Sequence, residues 1–123
     1  MNIEEVRDYC LSLPGVTEDM PYGPDVVVFR IEGKIFMHIG LERGQIAVKH
    51  LPEKGIELRE RYDAITPAFH MNKTHWSDVE IEGLLPDVLI KTLIEESYAL
   101  VLNKLPKALK ANLTSSWERR SSL

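Results

Sequence analysis

The chain has 123 residues, of which 44% are hydrophobic and 28% charged, with a formal net charge of −4. This is the balance of one soluble, globular domain with a core of its own, and it speaks against tight nucleic-acid binding through a broad basic surface. No apolar stretch approaches the roughly 20 residues needed to span a bilayer, so no membrane partner is expected.

The charge is uneven. Lys104, Lys107, Lys110, Arg119 and Arg120 lie beyond position 102 with Glu118 as the one acid among them, so the remainder of the chain is strongly acidic. The acidic start "MNIEEVRDYC" has no basic segment followed by an apolar one, and no secretory leader is expected from it. Cys10, the single cysteine, has no partner for an internal disulfide, which points to a reducing, cytoplasmic setting.

In chain order, Asn2 with Glu5 three residues on is an Asn-led capping box. Ile3, Val6, Cys10 and Leu13 then recur at helical spacing, and Pro14-Gly15 stops the run. Cys10 falls on the buried stripe of that helix as a structural thiol. Residues 16–25 are turn-rich and link helix to sheet. "VVVFRI" and "KIFMHI", joined by Glu32-Gly33, predict a β-hairpin. With a two-residue loop, Ile31 opposes Lys34, Phe29 opposes Phe36 and Val27 opposes His38. One face then carries Val26, Val28, Ile35, Met37 and Ile39 with Arg30 at its end, and the other Val27, Phe29, Ile31, Phe36 and His38. Both are mostly apolar, so the second face needs a cover: more chain, a second subunit or a ligand.

"GQIAVKH" (44–50) is a third, more polar strand, and residues 52–62 form a helix with Pro52 at its first position. "WSDVEI" (76–81) alternates like a strand, and residues 86–104 form the longest helix, ended by Pro106. The expected order is α-β-β-β-α-β-β-α, an α+β fold with helices on one face of an antiparallel sheet. A single domain over 1–113 and a mobile Ser/Arg-rich tail over 114–123 are expected.

The densest chemistry is "HMNKTHW" (70–76). Metal binding by His70 and His75 is disfavoured by spacing: five residues apart they point to opposite faces of a strand and about 140° apart on a helix. No HExxH, P-loop, GxSxG or dinucleotide GxGxxG is present, so neither catalysis nor a cofactor is expected. Surface recognition remains. If Val79 and Ile81 face the core, Trp76 is aimed outward beside Lys73 and His75, where an indole suits base stacking. The competing reading is that Trp76 bends over a helix end and closes the core.

The segments "LPGVTEDMPYGPDVVVFRI" (13–31), "LRERYDAITPAFHMNKTHW" (58–76) and "LPDVLIKTLIEESYALVLNKLPKAL" (85–109) together resemble the MmcQ/YjbR family of small bacterial proteins. That resemblance implies a CyaY/frataxin-like α+β fold with a double wing of β-hairpins, and through the wings a DNA-binding role. The wings would be the hairpin around Gly33 and the turn around Lys73. Frataxin-type iron binding would fall on Glu4, Glu5 and Asp8, which otherwise read as solvated carboxylates.

Two functions follow as expectations. One is weak, backbone-directed DNA binding through Arg30, Lys34, Lys49, Lys73, His75 and Trp76. The other is a non-enzymatic module that binds a protein or small molecule on the apolar second face, through Phe29, Phe36 and His38.

Overall fold

The capping box predicted at the N-terminus is formed: Asn2 Oδ1 accepts from the Glu5 amide at 2.8 Å, and Glu5 Oε1 accepts from the Asn2 amide at 3.0 Å. It starts helix α1, Ile3–Ser12. The computed structural model describes residues 1–121. After α1 come strands β1 (Val16–Asp19), β2 (Val26–Ile31), β3 (Lys34–Gly40) and β4 (Gln45–Lys49), then helix α2 (Pro52–Arg61). Strands β5 (Ile65–Pro67) and β6 (Trp76–Glu80) and helices α3 (Asp87–Leu102) and α4 (Lys107–Ser121) complete the order. The six strands make one antiparallel sheet in the order β1-β2-β3-β4-β6-β5.

The α+β class and the antiparallel sheet stand as expected, with two additions. Residues 16–19 pair with β2 as an edge strand, and their alternating polar residues suit an edge, where one row of backbone groups faces water. Residues 107–121 form α4, so the segment expected to be a mobile tail from 114 is helical through Ser121; residues 122 and 123 lie outside the described part. Pro106 both ends α3 and precedes α4. The new helix packs on the core through Leu113 and through Trp117, whose ring meets Tyr98 edge-on at 4.8 Å.

All four helices pack on one cluster of buried side chains. Val6 and Cys10 of α1, Leu58 of α2, Ile90, Leu93, Ile94 and Tyr98 of α3 meet Phe29, Met37, Ile39, Ile46 and Val79 of the sheet. The Cys10 sulfur lies 3.5 Å from that of Met37, and burial raises its thiol pKa, which keeps it inert. α1 and α3 are joined by the Tyr9–Glu95 hydrogen bond and by the Tyr98 hydroxyl, which donates to the Pro14 carbonyl at 2.7 Å.

The hairpin register departs from the simple expectation. Glu32 and Gly33 both have positive φ (48° and 78°), as a type I′ turn requires, and Ile31 does oppose Lys34. Beyond that, Arg30 pairs with Ile35 and Phe29 with Met37, leaving Phe36 as the extra residue of a β-bulge. The bulge turns Phe36 and Met37 to the same side, into the helices, and sends His38 to the other. Phe29 and Phe36, expected on an open ligand face, are instead fully buried beneath α3, where Phe36 meets Tyr98 edge-on at 5.5 Å. Only His38 of that trio lies on the second face.

The bulge leaves backbone groups that the ladder does not satisfy. Ser97 of α3 serves them: its hydroxyl donates to the Phe36 carbonyl at 2.5 Å and accepts from the Lys49 amide at 2.8 Å. Ser97→Ala strands both groups in the core and is expected to cost about 1–3 kcal/mol, read by chemical denaturation. An unchanged midpoint would show that the bulge stands without the serine.

Gly55 has a packing cause. A Cβ there would lie 2.1 Å from His50 Cε1, and the imidazole is locked between the Leu51 carbonyl (2.9 Å from Nδ1) and the Ser77 hydroxyl (2.7 Å from Nε2). Gly55→Ala therefore loses stability by about 1–3 kcal/mol through overpacking, although alanine favours a helix by about 1 kcal/mol. A more stable variant would contradict this packing.

Candidate functional site: a cleft on the second face of the sheet

Strand register fixes what the second face presents. It carries Val26, Val28 and Arg30 of β2, Ile35, His38 and Gly40 of β3, Gln45, Ala47 and Lys49 of β4, and Trp76 and Asp78 of β6. No helix covers it. Instead the segment 68–75 straps across, and the turn 20–25 stands at its side. Ala68 and Met71 of the strap pack on Ala47, Ile35 and Trp76 as a second, small core.

The segment "HMNKTHW" is the end of that strap. Asn72 Oδ1 accepts from the amides of Thr74 (2.8 Å) and His75 (3.2 Å), an Asx turn that returns the chain into β6. Lys73 folds its ammonium inward to the Ala68 carbonyl at 2.7 Å, and Asp78 Oδ2 accepts from the Phe69 amide at 3.0 Å. Among the described residues no group of three or more His, Cys, Asp or Glu is arranged to hold a metal.

These placements reorganise the expected nucleic-acid residues. Trp76 does lie on the outward face of β6, but the strap buries it to 8% exposure, so its ring faces are not open for a base. Arg30 is tied to Asp19 (3.2 Å) and to the Gly33 carbonyl (3.1 Å). His75 is exposed, with its backbone carbonyl accepting from the His50 amide. Lys34 and Lys49 are brought together at the far end of β3, beside Lys104.

Between the strap and the 20–25 turn opens a cleft of about 630 Å³, lined by Tyr22, Asp25, Val26, His38, Gly40, Glu42, Arg43, His70 and Met71. Gly40 leaves the room: a Cβ there would meet only the Gln45 carbonyl oxygen, at 3.6 Å. His38 lies between Tyr22 and Trp76, with ring centroids 6.1 and 6.0 Å away. Its Nε2 is buried and has no hydrogen-bond partner among the described residues. Burial, then the nearby Arg30 and His70 charges, lower its pKa, with Asp78 opposing, so the imidazole is neutral. At the rim, the Arg43 guanidinium stacks over Phe69 at 4.8 Å, and Phe69 meets His70 edge-on at 4.5 Å.

A second histidine is tuned by the same physics. His50 Nδ1 faces a carbonyl and must donate, so Nε2 accepts from the Ser77 hydroxyl, which accepts in turn from Arg59 at 2.9 Å. Burial lowers the His50 pKa, with Arg59 and His75 adding to it. Ser77 is fully buried, which makes this chain of bonds a structural clamp under α2 rather than a nucleophile and its base.

Of the cleft residues, sequence reasoning had singled out His38 and His70. It missed Tyr22, Asp25, Gly40, Arg43 and Met71. Gly40 closes β3 directly after "KIFMHI", where a glycine reads as the start of a turn, so the sequence carried no separate signal for it.

The architecture is that of an α+β protein whose sheet is helix-covered on one side and holds a ligand-sized cleft on the other. The chain belongs to the YjbR family, whose description matches residues 11–100. It is similar to the Escherichia coli protein YbdF, at 38% identity over 106 residues, covering 85% of this chain and 87% of that one. Escherichia coli YjbR is 31% identical over 109 residues, covering 87% and 92%. Both relatives are described only as uncharacterised. A Deinococcus radiodurans protein with a DUF419 domain superposes with a TM-score of 0.84 at 29% identity, covering 92% of this chain and 88% of that one. A Pseudomonas syringae protein superposes at 0.71 and 33%, covering 81% and 98%.

Both lowered histidines give a pH dependence of defined sign. The unfolded chain takes up protons near pH 6.5, while folded His38 and His50 remain neutral to lower pH. Stability is therefore full above about 6.5 and falls as the pH drops below it. Chemical denaturation between pH 7.5 and 5.5 should show this loss, and the slope should flatten in a His38→Gln, His50→Gln double variant. A flat wild-type profile would mean that the two histidines protonate freely in the folded protein.

Proposed function

We propose that the chain is a non-enzymatic, cytoplasmic binding module that takes a small, uncharged, largely apolar molecule in the cleft over β3. The observation that carries this reading is the cleft of about 630 Å³ over β3, with His38 in its lining and the Nε2 of that ring buried without a hydrogen-bond partner among the described residues. An unsatisfied buried polar atom costs about 1–3 kcal/mol, which a ligand recovers if the His38 ring turns to bring Nε2 to the cleft. The volume lies within the range of small-molecule sites, and Val26, Met71 and the Tyr22 ring supply the apolar contact such sites need. The charged residues of the lining (Asp25 and Glu42 against Arg43) carry no positive excess that would select an anion, and the apolar contacts suit an uncharged ligand.

The wing-based DNA reading has less to stand on. Two of its cations, Arg30 and Lys73, are held by partners within the protein, and its stacking residue Trp76 is covered. The frataxin-like, double-wing comparison adds an analogy of shape, which is a weak warrant for function. The single buried cysteine supports the reducing compartment.

A screen of uncharged aromatic heterocycles such as indole and benzimidazole, read by amide chemical shifts, tests the proposal. Shifts are expected at Tyr22, Val26, His38, Arg43 and Met71. Gly40→Leu, which the open space accommodates, should fill the cleft and weaken the hits by about tenfold or more. Hits scattered over the surface, or undiminished binding to a folded Gly40→Leu protein, would overturn it.

A further inference from the structure

We propose that Lys34, Lys49 and Lys104 form a second site, which binds the phosphate group of a small molecule. Their side chains converge on a cleft of about 310 Å³ whose other walls are Ile35, Val101 and Leu105. Lys34 opens β3, Lys49 closes β4 and Lys104 follows the last turn of α3. The His38 cleft lies farther along β3, its lining residue His38 four positions on from Lys34, which at about 3.3 Å per residue is roughly 13 Å. The two sites share no lining residue.

Lys49 and Lys104 lie close enough for their charges to repel, with Lys34 on the same cleft, and nearby carboxylates would normally offset this. Here none of the three has an ion-pair partner among the described residues. Lys49 cannot relieve the repulsion by swinging freely into water, because it is half-buried. Burial and the neighbouring Lys104 both lower its pKa. Nor is Lys104 needed to satisfy the end of α3. The carbonyls of Ala99, Val101 and Leu102 already accept from the amides of Asn103, Lys104 and Leu105. A bound phosphate dianion supplies the missing negative charge and accepts from several ammonium groups at once.

The group recognised is one phosphate rather than a polynucleotide. A nucleic-acid strand needs a track of cations that neutralises successive phosphates. Beyond this trio the neighbouring candidates Arg30 and Lys73 are engaged internally, and the first 102 residues carry an excess of acid.

The test is titration of the full chain with inorganic phosphate and with phenyl phosphate, with sodium chloride at matched ionic strength as control. Amide shifts at Lys34, Ile35, Lys49, Lys104 and Leu105 should saturate with either phosphate compound and not with chloride. The Lys49 ammonium, followed by NMR of its side chain, should rise in pKa when phosphate binds. Lys49→Gln should weaken binding by about tenfold, and a Lys49→Gln, Lys104→Gln protein should lose it, while Lys54→Gln on α2 leaves it unchanged. Equal shifts with chloride, or no rise in the Lys49 pKa, would overturn the site. A short single-stranded oligonucleotide that binds about tenfold tighter than phenyl phosphate, with shifts reaching His75, would overturn the small-molecule assignment in favour of nucleic acid.

Discussion

The bond between Ser97 and the bulged strand governs how the two faces of the sheet are assigned. In an unbroken hairpin Phe36 and His38 share a face, because side chains alternate with period two. The extra residue at Phe36 breaks that alternation once. An aromatic ring and a methionine then enter the core together, and the imidazole emerges on the other side. Such a bulge is tolerable in a buried sheet only if its backbone groups are paired, since an orphaned carbonyl or amide there costs more than most side-chain contacts return. One hydroxyl on α3 pairs two of them, on β3 and β4. The helix that covers the core thereby also determines which residue stands on the floor of the cleft.

The two faces are finished by different means. Beneath the helices, close-packed apolar side chains and one satisfied serine leave little freedom. On the second face, a strap of backbone turns is held by side chains that reach for main-chain groups: Asn72, Lys73 and Asp78 each bind a nearby amide or carbonyl. These bonds lie near the surface, and the apolar contact beneath them is confined to the small cluster around Trp76, so this face is the more adaptable of the two. Exposed Tyr22 (66%) and Phe69 (62%), at either side of the cleft, fit the same description.

Features with a local cause were legible in the sequence. The capping box, the Glu32-Gly33 turn, the stripe of α1 and the ends of α3 each depend on residues within a turn or two. The edge strand β1 was hidden because "VTED" has the composition of a turn, and only pairing with β2 makes it a strand. α4 was hidden because a serine-rich end reads as mobile, whereas Leu113 and Trp117 anchor it on residues far away in sequence. The bulge is the consequential omission. Nothing in "KIFMHI" distinguishes Phe36 from its neighbours, and the partner that selects it, Ser97, lies 61 positions away. Of the residues expected on the open face, His38 lies on the side away from the helices, and Phe29 and Phe36 lie in the core.

The four histidines show why residue type alone could not locate the site. His50 and His38 are nearly equally buried, at 5% and 8% exposure, and both have lowered pKa values. Composition and burial therefore treat them alike. Their partners separate them. His50 has both ring nitrogens engaged, one donating to the Leu51 carbonyl and one accepting from Ser77, and a glycine in α2 makes space for its ring. His38 has rings on two sides and a buried nitrogen with no hydrogen-bond partner among the described residues. A buried polar group that is fully bonded stabilises one arrangement of the chain and gains nothing from a visitor. One left unbonded beside a cleft keeps an interaction in reserve for a ligand. The conspicuous pair His70 and His75 belongs to neither class. They flank the Asn72 turn, and that turn serves the site by holding Met71 and the strap over β3 and β4.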